Sequence, residues 1–409
     1  MQVLPETQRI KIAKWLDEYV GRWLIRVVHR LHSWQSGRIL EAAVERILFI
    51  KFWGIGSIVL AEPGLRYLRK KHPQARIDFL TLHQNRELFA LIPHVHKMYT
   101  IEFSSPLRFL LSALVLILKL RKDKYDIIFD AEFFANISSL IARLARASRV
   151  VGFSRVQSSK SRLLDVAVPF NDEQHAAENF LRLVMSVSND VADRVFAPFD
   201  ESMWPRIFSS PSRHRKYLFT DTPYVVMNVN ASPLALERRW PQENFVELAE
   251  WLLENYETAL VLIGSQAERR YTRDVEEAIA IRHRVTNLAG DLTLTELAEV
   301  IKSSALFISN DSGSLHLAAA LQKPVVGFYG PETPQRFGPL CNQRLIFYLG
   351  LPCSPCMSVD NAKTVNCTNQ LRCMLDLKVV MVIPQLRRFI DHHKLLPLRV
   401  EQDSVLAMS

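Results

Sequence analysis

Short apolar runs alternate with stretches of helical periodicity along most of the chain. The first run, RILFIKF at 46–52, is followed by a GIG turn, the helical segment PGLRYLRKKHP and a second run, RIDFLTL. This order predicts a βαβ unit, and successive βαβ units imply a parallel sheet with right-handed crossovers. Further strands are predicted at MYTIEF, YDIIFDAE and VVGFS, with helices at 107–120 and 137–146. Together these elements predict one doubly wound domain.

The same alternation begins again after a polar, Pro-containing stretch at 198–222. Strands are predicted at YVVMNVNAS, TALVLIG, RVTNLAG, ALFISND and PVVGFYG, separated by helices at ENFVELAEWLLENY, 267–280, 294–303 and SLHLAAALQ. We therefore expect an α/β protein with two domains, at 46–205 and 206–395, and a tail at 396–409. Functional residues in such sheets lie in the loops that follow the strands.

Residues 1–45 are predicted to form an amphipathic helical extension. Apolar residues recur there at three- and four-residue spacing with basic residues between them, and the segment contains Trp15, Tyr19, Trp23 and Trp34. A helix docked on the protein's own surface and an interfacial membrane anchor both fit this pattern. The four aromatic residues favour the membrane.

A second apolar helix is predicted at 109–118, FLLSALVLIL. Ten helical residues rise only about 15 Å, roughly half of the hydrocarbon thickness of a bilayer, so this run cannot span a membrane. Basic residues border it, and an exposed surface of this kind would suit a lipid-linked acceptor or an anionic inner leaflet. We favour the alternative that the helix is buried on both sides.

The composition indicates which kinds of partner and which cellular compartment to expect. The 409 residues include 51 Lys and Arg against 42 Asp and Glu, a net charge of +9, which favours an anionic partner. The basic residues are interspersed with acids and no nucleic-acid module is recognisable, so we expect no nucleic acid as partner. Four of the five cysteines lie between Cys353 and Cys373, which argues against a disulfide-rich secreted scaffold. The N-terminus lacks the pattern of a signal peptide, and we expect a cytoplasmic protein.

The most specific indication of a functional site comes from residues 308–339, ISNDSGSLHLAAALQKPVVGFYGPETPQRFGP. A strand ends at Asn310 and Asp311, and Ser312, Gly313 and Ser314 open the next helix. Backbone N–H groups and hydroxyls at such a junction can hold a diphosphate. Alternatively, Asp311 and the serines only cap the helix, and His316 is a core histidine.

This segment closely resembles the signature of glycosyltransferase family 9, the ADP-heptose lipopolysaccharide heptosyltransferases. Further similarity follows in chain order at 46–80, at KYDIIFDAEFFANISSLIARLARASRVVGFSR and at RRWPQENFVELAEWL, so that the resemblance covers about 46–390. It implies the GT-B fold, with two Rossmann-like domains facing across a cleft. It also implies transfer of a sugar with inversion from a nucleotide-diphosphate donor, ADP-heptose in the first instance, to a lipopolysaccharide or other glycan, without a metal for the transfer.

The resemblance assigns substrate-binding roles residue by residue. Asp311, Ser312, Gly313, Ser314 and His316 match positions around the donor diphosphate and sugar. Arg238 or Arg239 matches the basic residue that neutralises the phosphates, and an arginine suits a leaving diphosphate. Gly264 and Glu268 match the nucleoside site, although a glutamate in a first helical turn also simply complements the helix dipole. Gly54 and Gly56 belong to the first βα turn.

The sequence departs from the family pattern at Ser57. The family usually has Gly-Asp at this turn, and that aspartate is thought to deprotonate the acceptor hydroxyl; a serine cannot do so unaided. A carboxylate near the same edge could replace it. We hypothesise that Glu132 is this base; Asp130 and Glu62 are alternatives, and Asp130 and Glu132 could instead cap the next helix.

Cys353, Cys356, Cys367 and Cys373 follow the pattern CxxC, ten residues, C, five residues, C. Four thiolates at such spacing could hold structural zinc or a cluster. The second pair is more widely spaced than in a zinc ribbon, so reduced thiols or a labile disulfide are alternatives. Cys341 is predicted to be separate from this group.

The sequence therefore predicts an inverting glycosyltransferase. Two alternatives share the architecture: a nucleotide-sugar 2-epimerase, which would turn over the donor without an acceptor, and a non-catalytic nucleotide-sugar-binding relative, suggested by Ser57.

Overall fold

The computed structural model describes residues 17–31, 44–102, 106–133, 135–154, 159–188, 199–207, 222–231, 235–358, 365 and 367–399. Trp15, Trp34 and most of the predicted tail lie outside these residues. The described chain forms two compact units that divide at residues 208–209; the sequence predicts the division at 205–206. Each unit contains a six-stranded sheet in which all neighbouring strands are parallel.

The sheet of the first unit has the order β3-β2-β1-β4-β5-β6. Its strands are β1 (Arg46–Ile50), β2 (Arg76–Leu82), β3 (Lys97–Ile101), β4 (Ile127–Asp130), β5 (Arg149–Ser154) and β6 (Val166–Pro169). Its helices are α1 (Arg22–Leu31), α2 (Ile55–Leu60), α3 (Glu62–Lys71), α4 (Pro106–Asp123), α5 (Asn136–Leu144) and α6 (Ala176–Met185). Strands β1 and β4 are buried along almost their whole length, which explains their continuous apolar runs.

The sheet of the second unit has the order β12-β11-β10-β7-β8-β9. Its strands are β7 (Tyr224–Asn228), β8 (Ala259–Leu262), β9 (Val285–Asn287), β10 (Leu306–Asn310), β11 (Val325–Tyr329) and β12 (Arg344–Tyr348). Its helices are α7 (Gln242–Asn255), α8 (Arg269–Ala278), α9 (Leu294–Ser303), α10 (Gly313–Ala320), α11 (Pro334–Phe337), α12 (Arg372–Leu375) and α13 (Val379–His393). The predicted alternation is thus present in both halves. The sequence prediction omitted β6 and β12 and the helices α2, α6, α11, α12 and α13.

The described part of the N-terminal extension, residues 17–31, packs against the rest of the first unit. Asp17–Gly21 forms a π-helical turn that leads into α1. Ile25 of α1 is fully buried against Leu140 of α5 and Leu163. The other side of this segment leaves Tyr19 61% and Trp23 59% exposed. The described part of the extension is therefore docked on the protein, and it also presents aromatic side chains to solvent.

The expectation that the helix at 109–118 is buried on both sides is wrong. One side of α4 packs into the core of the first unit through Ala113, Leu116, Ile117 and Leu120. The other side exposes five aliphatic residues, each by more than half of its surface: Leu110, Leu111, Leu114, Val115 and Leu118. The helix covers one face of the sheet only, and nothing in the described chain covers its outer side. Among the described helices, none combines the length and apolar character needed to cross a bilayer.

Candidate functional site

A buried tryptophan positions the polar residues of the second unit. The ring of Trp240 is fully buried and stacks on Phe328, with the ring centroids 4.2 Å apart. Its indole nitrogen donates a hydrogen bond to the carbonyl oxygen of Leu377 at 2.7 Å. Its backbone nitrogen donates to Oδ1 of Asn310 at 2.9 Å. Because Asn310 ends β10, this contact fixes the two arginines that precede Trp240 beside the carboxyl end of that strand.

Arg238 and Asp311 form an ion pair at this strand end. Nη1 of Arg238 lies 2.9 Å from Oδ2 of Asp311, and the two side chains are 11% and 6% exposed. The N-cap residue of α10, Ser312, makes no side-chain capping bond. Asp311 thus holds Arg238 near the start of α10. A guanidinium that gives one N–H group to a carboxylate keeps further donors, so Arg238 can still bind a phosphate oxygen.

Hydroxyl groups surround the first turn of α10. Nδ2 of Asn228 donates to Oγ of Ser314 at 2.7 Å and to Oγ of Ser312 at 3.2 Å. Oγ of Ser312 lies 2.8 Å from Oγ of Ser309 and 2.9 Å from Oγ of Ser314. Strands β7 and β10 therefore jointly orient the hydroxyls at the start of this helix, where backbone N–H groups attract anions.

Gly313 and His316 complete the predicted segment. Gly313 is the first residue of α10, and His316, one turn further along, is 5% exposed. The burial of His316 fits both interpretations of the sequence, a core histidine and a group beside the donor.

Arg239 faces a second group of polar residues, at the ends of β7 and β8. Its guanidinium carbon lies 4.0 Å from the ring centroid of Tyr271, and Nη2 lies 3.4 Å from Oδ1 of Asn230. Within the described residues, Nε of Arg239 has no hydrogen-bond partner. Nδ2 of Asn230 donates to Oγ1 of Thr272 at 3.0 Å. A Cβ atom on Gly264 would lie 2.8 Å from Nδ2 of Asn230, so glycine permits this close approach.

Glu268 takes part in a capping box. Its Oε2 atom accepts hydrogen bonds from both the backbone nitrogen and the hydroxyl of Ser265, each at 2.8 Å. This contact corresponds to the simpler interpretation of Glu268, as a residue that stabilises a helical turn. It also places the carboxylate in the loop that directly follows β8 and Gly264.

The first βα turn of the first unit contains Gly54, Gly56 and Ser57. Gly54 has a φ of 82°, a conformation that L-residues with a side chain rarely adopt, and it precedes α2 as the N-cap residue. Ser57 lies half-buried in the first turn of α2, while Gly56 is buried. A Cβ atom on Gly54 would lie 3.3 Å from Oγ of Ser57, which places the serine hydroxyl beside the exposed Gly54.

Glu132 lies next to this turn and is fully buried. Its Oε1 atom lies 3.0 Å from Nζ of Lys51 and accepts hydrogen bonds from the backbone nitrogens of Phe52 and Trp53 at 2.5 and 3.0 Å. Burial lowers the pKa of Lys51, and the nearby Glu132 carboxylate partly offsets this effect. Oε2 of Glu132 has no hydrogen-bond partner within the described residues. The predicted base is thus beside the first βα turn, with one oxygen engaged in ordering it.

Asp130 is held by a second buried lysine. Its Oδ2 atom lies 3.0 Å from Nζ of Lys160 and accepts a hydrogen bond from the hydroxyl of Ser139. The interpretation that Asp130 and Glu132 cap the next helix is wrong. The cap of α5 comes from Asp17, whose carboxylate accepts from the backbone nitrogens of Asn136 at 2.8 Å and Ile137 at 2.7 Å.

Glu62, the remaining alternative for the base, serves another contact. Its Oε2 atom accepts a hydrogen bond from the backbone nitrogen of Arg206 at 2.9 Å, and Oε1 lies 3.5 Å from Nε of Arg66. Burial raises the pKa of this carboxyl. Glu62 thus connects α3 to the end of the first unit.

The comparison with protein families decides the class of the protein. The family model of glycosyltransferase family 9 (heptosyltransferase) matches residues 114–365. The chain belongs to this family. It is therefore an enzyme of the heptosyltransferase type, as the sequence predicts.

Individual relatives and solved structures agree with this membership. Lipooligosaccharide heptosyltransferase 2 of Haemophilus ducreyi is 26% identical over 315 residues, 74% of this chain and 88% of that protein. The structure of the E. coli ADP-heptose LPS heptosyltransferase II superposes with a TM-score of 0.70 at 20% identity, covering 86% of this chain and 99% of that one. The iron-containing dodecameric glycosyltransferase TibC of enterotoxigenic E. coli has a TM-score of 0.52 at 14% identity, covering 86% and 77%. These likenesses confirm the predicted GT-B fold class.

Several residues of this family 9 glycosyltransferase site were missed in the sequence. Asn228 ends β7 and orients the hydroxyls of Ser312 and Ser314, and Asn230, two residues further on, contacts Arg239. Asn310 was recognised as a strand end, but its contact with the backbone nitrogen of Trp240 was not predicted. A signal existed, because asparagines interrupt the apolar runs VVMNVN and LFISN at their carboxyl ends. Lys51 and Lys160 gave no comparable signal, since their carboxylate partners lie far away in sequence.

The four clustered cysteines of the glycosyltransferase lie in the segment between β12 and α13. Burial and the neighbouring thiols raise the pKa of Cys373 to about 11. The backbone nitrogen of Leu371 donates to Sγ of Cys367 at 3.1 Å. The backbone nitrogen of Cys356 donates to the carbonyl oxygen of Pro331 at 3.0 Å, which ties the cysteine loop to the segment after β11. Among the described residues, no group of three or more His, Cys, Asp or Glu side chains is placed to hold a metal ion.

Proposed function

We propose that the protein transfers a heptose, with inversion, from ADP-heptose to a lipopolysaccharide core or related lipid-linked glycan. Family membership supports the sugar class. The names of the Haemophilus ducreyi relative and of the E. coli structure support ADP-heptose as donor and a lipooligosaccharide or lipopolysaccharide as acceptor. The net charge of +9 is compatible with both anionic substrates.

The ion pair of Arg238 with Asp311 carries the donor-site proposal. It places a guanidinium at 2.9 Å from the carboxylate that precedes α10, next to the helix N-terminus and the hydroxyls of Ser312 and Ser314. Arg238 and the first N–H groups of α10 would stabilise the charge of the leaving diphosphate. Arg239, with Gly264 and Glu268, would lie closer to the nucleoside.

The transfer itself would be a direct displacement. The acceptor hydroxyl oxygen forms a bond to the anomeric carbon while the bond from that carbon to the diphosphate oxygen breaks. The electron pair leaves with the ADP, and the hydroxyl proton passes to a base. Such general-base assistance contributes about 100-fold or more to the rate.

We propose Glu132 as that base, with Asp130 and Ser57 as neighbouring residues that shape the same strand edge. The support is that Oε2 of Glu132 has no partner among the described residues, while Oε1 is fixed by Lys51 and two backbone amides. Because Glu132 is completely buried, the acceptor hydroxyl must gain access to its Oε2 atom. Activity in this position would require a movement of the turn at 52–54.

We further propose that the transfer takes place at the cytoplasmic face of the inner membrane, where a lipid-linked acceptor would be available. The two surface helices of the first unit, α1 and α4, support this location through their exposed apolar residues.

The cysteine loop is proposed to bind a structural zinc ion or a metal cluster. Four thiols are donors that such metals prefer, and N–H donation to Cys367 stabilises thiolate charge. The structural neighbour TibC is iron-containing. Metal analysis of the purified protein, compared with the double variant Cys353→Ser/Cys356→Ser, tests the proposed metal site. A stoichiometric metal that is lost in the double variant would support the site. A metal-free protein that is active would contradict it.

The main experiment measures thermal stabilisation of the protein by ADP, GDP, UDP and CMP, followed by transfer assays with ADP-heptose. A ligand that binds only the folded state raises its stability in proportion to the logarithm of ligand concentration over Kd. We expect selective stabilisation by ADP, reduced in Asp311→Ala, and transfer of heptose with inverted anomeric configuration by NMR.

Two outcomes would contradict the proposal in different ways. Stabilisation by ADP without transfer to any lipopolysaccharide acceptor would indicate a non-catalytic relative, which Ser57 in place of the family aspartate favours. If no nucleotide stabilised the protein, the proposal of a nucleotide-sugar donor site would be contradicted.

A further inference from the structure

We propose that the outer surface of α1 and α4 is a docking face for an anionic phospholipid bilayer. This surface consists of the exposed aliphatic residues of α4 together with Tyr19, Val20 and Trp23 of the extension, and we call it the apolar face. It deepens the location proposed above by naming the residues that would bind the membrane.

The apolar face of α4 is continuous along the helix. Its five residues, Leu110, Leu111, Leu114, Val115 and Leu118, are between 52% and 64% exposed. Their spacing of one, three or four residues keeps them on one side of an α-helix, opposite the residues that enter the core. A contiguous exposed patch of large aliphatic side chains is uncommon on a monomeric protein and marks an interaction surface.

The extension adds exposed aromatic residues to the helices that pack around α5. Helix α5 lies between α4 and α1, because its residues Ile141 and Ala142 pack with α4 while Leu140 packs with Ile25 of α1. Helices α1 and α4 therefore both pack against α5. Tyr19 and Trp23 are the residue types that prefer the boundary between lipid chains and water.

The exposed charged residues of the two helices that form the apolar face have one sign. Its exposed charged residues on α1 and α4 are all basic: Arg22, Arg26, Arg30, Arg108, Lys119 and Lys122, and exposed Lys124 follows directly. Helix α1 contains no acidic residue, and Asp123, the one acid in α4, lies 3.5 Å from Nζ of Lys97. An anionic lipid surface attracts such a basic border.

The same charges argue against a second copy of the chain as the occupant. A two-fold symmetric dimer through this face would bring two basic borders together, and like charges across an interface oppose association. A bilayer surface, in contrast, satisfies the aliphatic, aromatic and basic residues at once.

The test is sedimentation of the full-length protein with vesicles. Vesicles of phosphatidylglycerol and phosphatidylethanolamine are compared with vesicles of phosphatidylcholine alone. Leu114→Glu/Leu118→Glu alters the apolar face, and Lys119→Gln/Lys122→Gln alters its border. Val380→Glu is the matched control, because Val380 is 75% exposed on α13 of the other unit. Thermal melting confirms that each variant is folded.

We expect the wild-type protein and Val380→Glu to bind the anionic vesicles equally. Both double variants should bind about tenfold more weakly, in line with charge and apolar contributions to interfacial binding. Binding to phosphatidylcholine should also be weaker, and salt should reduce binding to the anionic vesicles.

Equal binding of Leu114→Glu/Leu118→Glu and wild type, or no binding to anionic vesicles at all, would overturn the proposal. A wild-type dimer in sedimentation equilibrium that this variant dissociates, without vesicle binding, would assign the face to a second copy instead. ADP binding is measured in parallel, so that a failure of membrane binding and a failure of the proposed transferase function remain distinguishable.

Discussion

Nζ of Lys51 lies 3.0 Å from Oε1 of Glu132, and both side chains are withdrawn from solvent. The pair joins the end of β1 to the loop after β4, two neighbouring strands of the first sheet. It raises the question whether Glu132 acts in catalysis or only balances a buried lysine, and a pair of variants can separate these roles.

Glu132→Gln should lower both activity and stability. Removing one partner of a buried ion pair leaves an uncompensated charge and costs about 3–5 kcal/mol of unfolding free energy. The double variant Lys51→Met/Glu132→Gln removes both charges and should regain most of the thermal stability. If Glu132 is the base, heptose transfer by the double variant stays about 100-fold or more below wild type. Recovery of turnover together with stability would show that Glu132 is structural.

The two arginines before Trp240 should differ in their effect on nucleotide binding. Arg238→Gln removes the guanidinium next to the α10 N-terminus and should weaken ADP binding by about tenfold or more, the loss expected for a hydrogen bond to a charged group. Arg239→Gln removes the same charge beside Tyr271 and should have a smaller effect on the free diphosphate. Calorimetry with ADP and with pyrophosphate measures both. Equal losses for pyrophosphate in the two variants would contradict the assignment of the diphosphate to Arg238.

Asp17 should stabilise the first unit through the cap that it provides to α5. Asp17→Ala removes the acceptor of the backbone N–H groups of Asn136 and Ile137. Loss of such a cap costs about 1 kcal/mol, or about 2–4 °C in melting temperature for a unit of this size. Asp17→Asn keeps one acceptor oxygen and should lose less. A melting temperature unchanged in Asp17→Ala would indicate that the extension does not dock in solution.

The pH dependence of stability should contain a contribution from Glu62. Burial raises the pKa of this carboxyl above its usual 4.5, so the folded protein binds the proton more tightly than the unfolded chain. The resulting stabilisation is fully present below pH 4.5 and is lost as the pH rises through the folded-state pKa. Relative to Glu62→Gln, the wild-type melting temperature should therefore fall as the pH rises from 4.5 through the folded-state pKa of Glu62.

His94 requires a control in this comparison, because its Nε2 atom lies 4.0 Å from Oε1 of Glu62. Burial lowers the pKa of His94, which moves its titration towards that of Glu62. Both proteins are therefore measured in a His94→Asn background, and asparagine tolerates the positive φ of 81° at this position. A melting-temperature difference that is constant with pH would refute the contribution of Glu62.

The cysteines should react with alkylating reagents in a defined order. Burial raises the pKa of Cys341 to about 12, so that this thiol is almost entirely protonated at pH 8. Cys353 and Cys367 are exposed. Mass spectrometry after brief alkylation at pH 8 should find these two modified first and Cys341 last. Early modification of Cys341 would contradict its burial; protection of Cys353 and Cys367 that a chelator removes would support a bound metal.

The alternation of strands and helices was readable from local patterns. The run RIDFLTL corresponds residue for residue to β2, and the helix at 294–303 to α9, because burial on both sides of a parallel strand and on one side of a helix imposes distinct periodicities. Edge strands β6 and β12 are short and partly exposed, so their apolar pattern is weak. The ordered family motifs predict which loops contain the donor residues, and the arginine variants above test that prediction.

Long-range contacts were not readable in the same way. The sequence placed Asp130 and Glu132 before α5 and suggested that they cap it, whereas Asp17, about 120 residues away, supplies the cap. Lys51 is paired with a carboxylate 81 residues distant. Hydrophobic periodicity depends on neighbours along the chain and can therefore be recognised from the sequence. The pairing of buried charges, and the choice of which side of α4 meets the core, depend on which elements the fold brings together, and this required the three-dimensional structure.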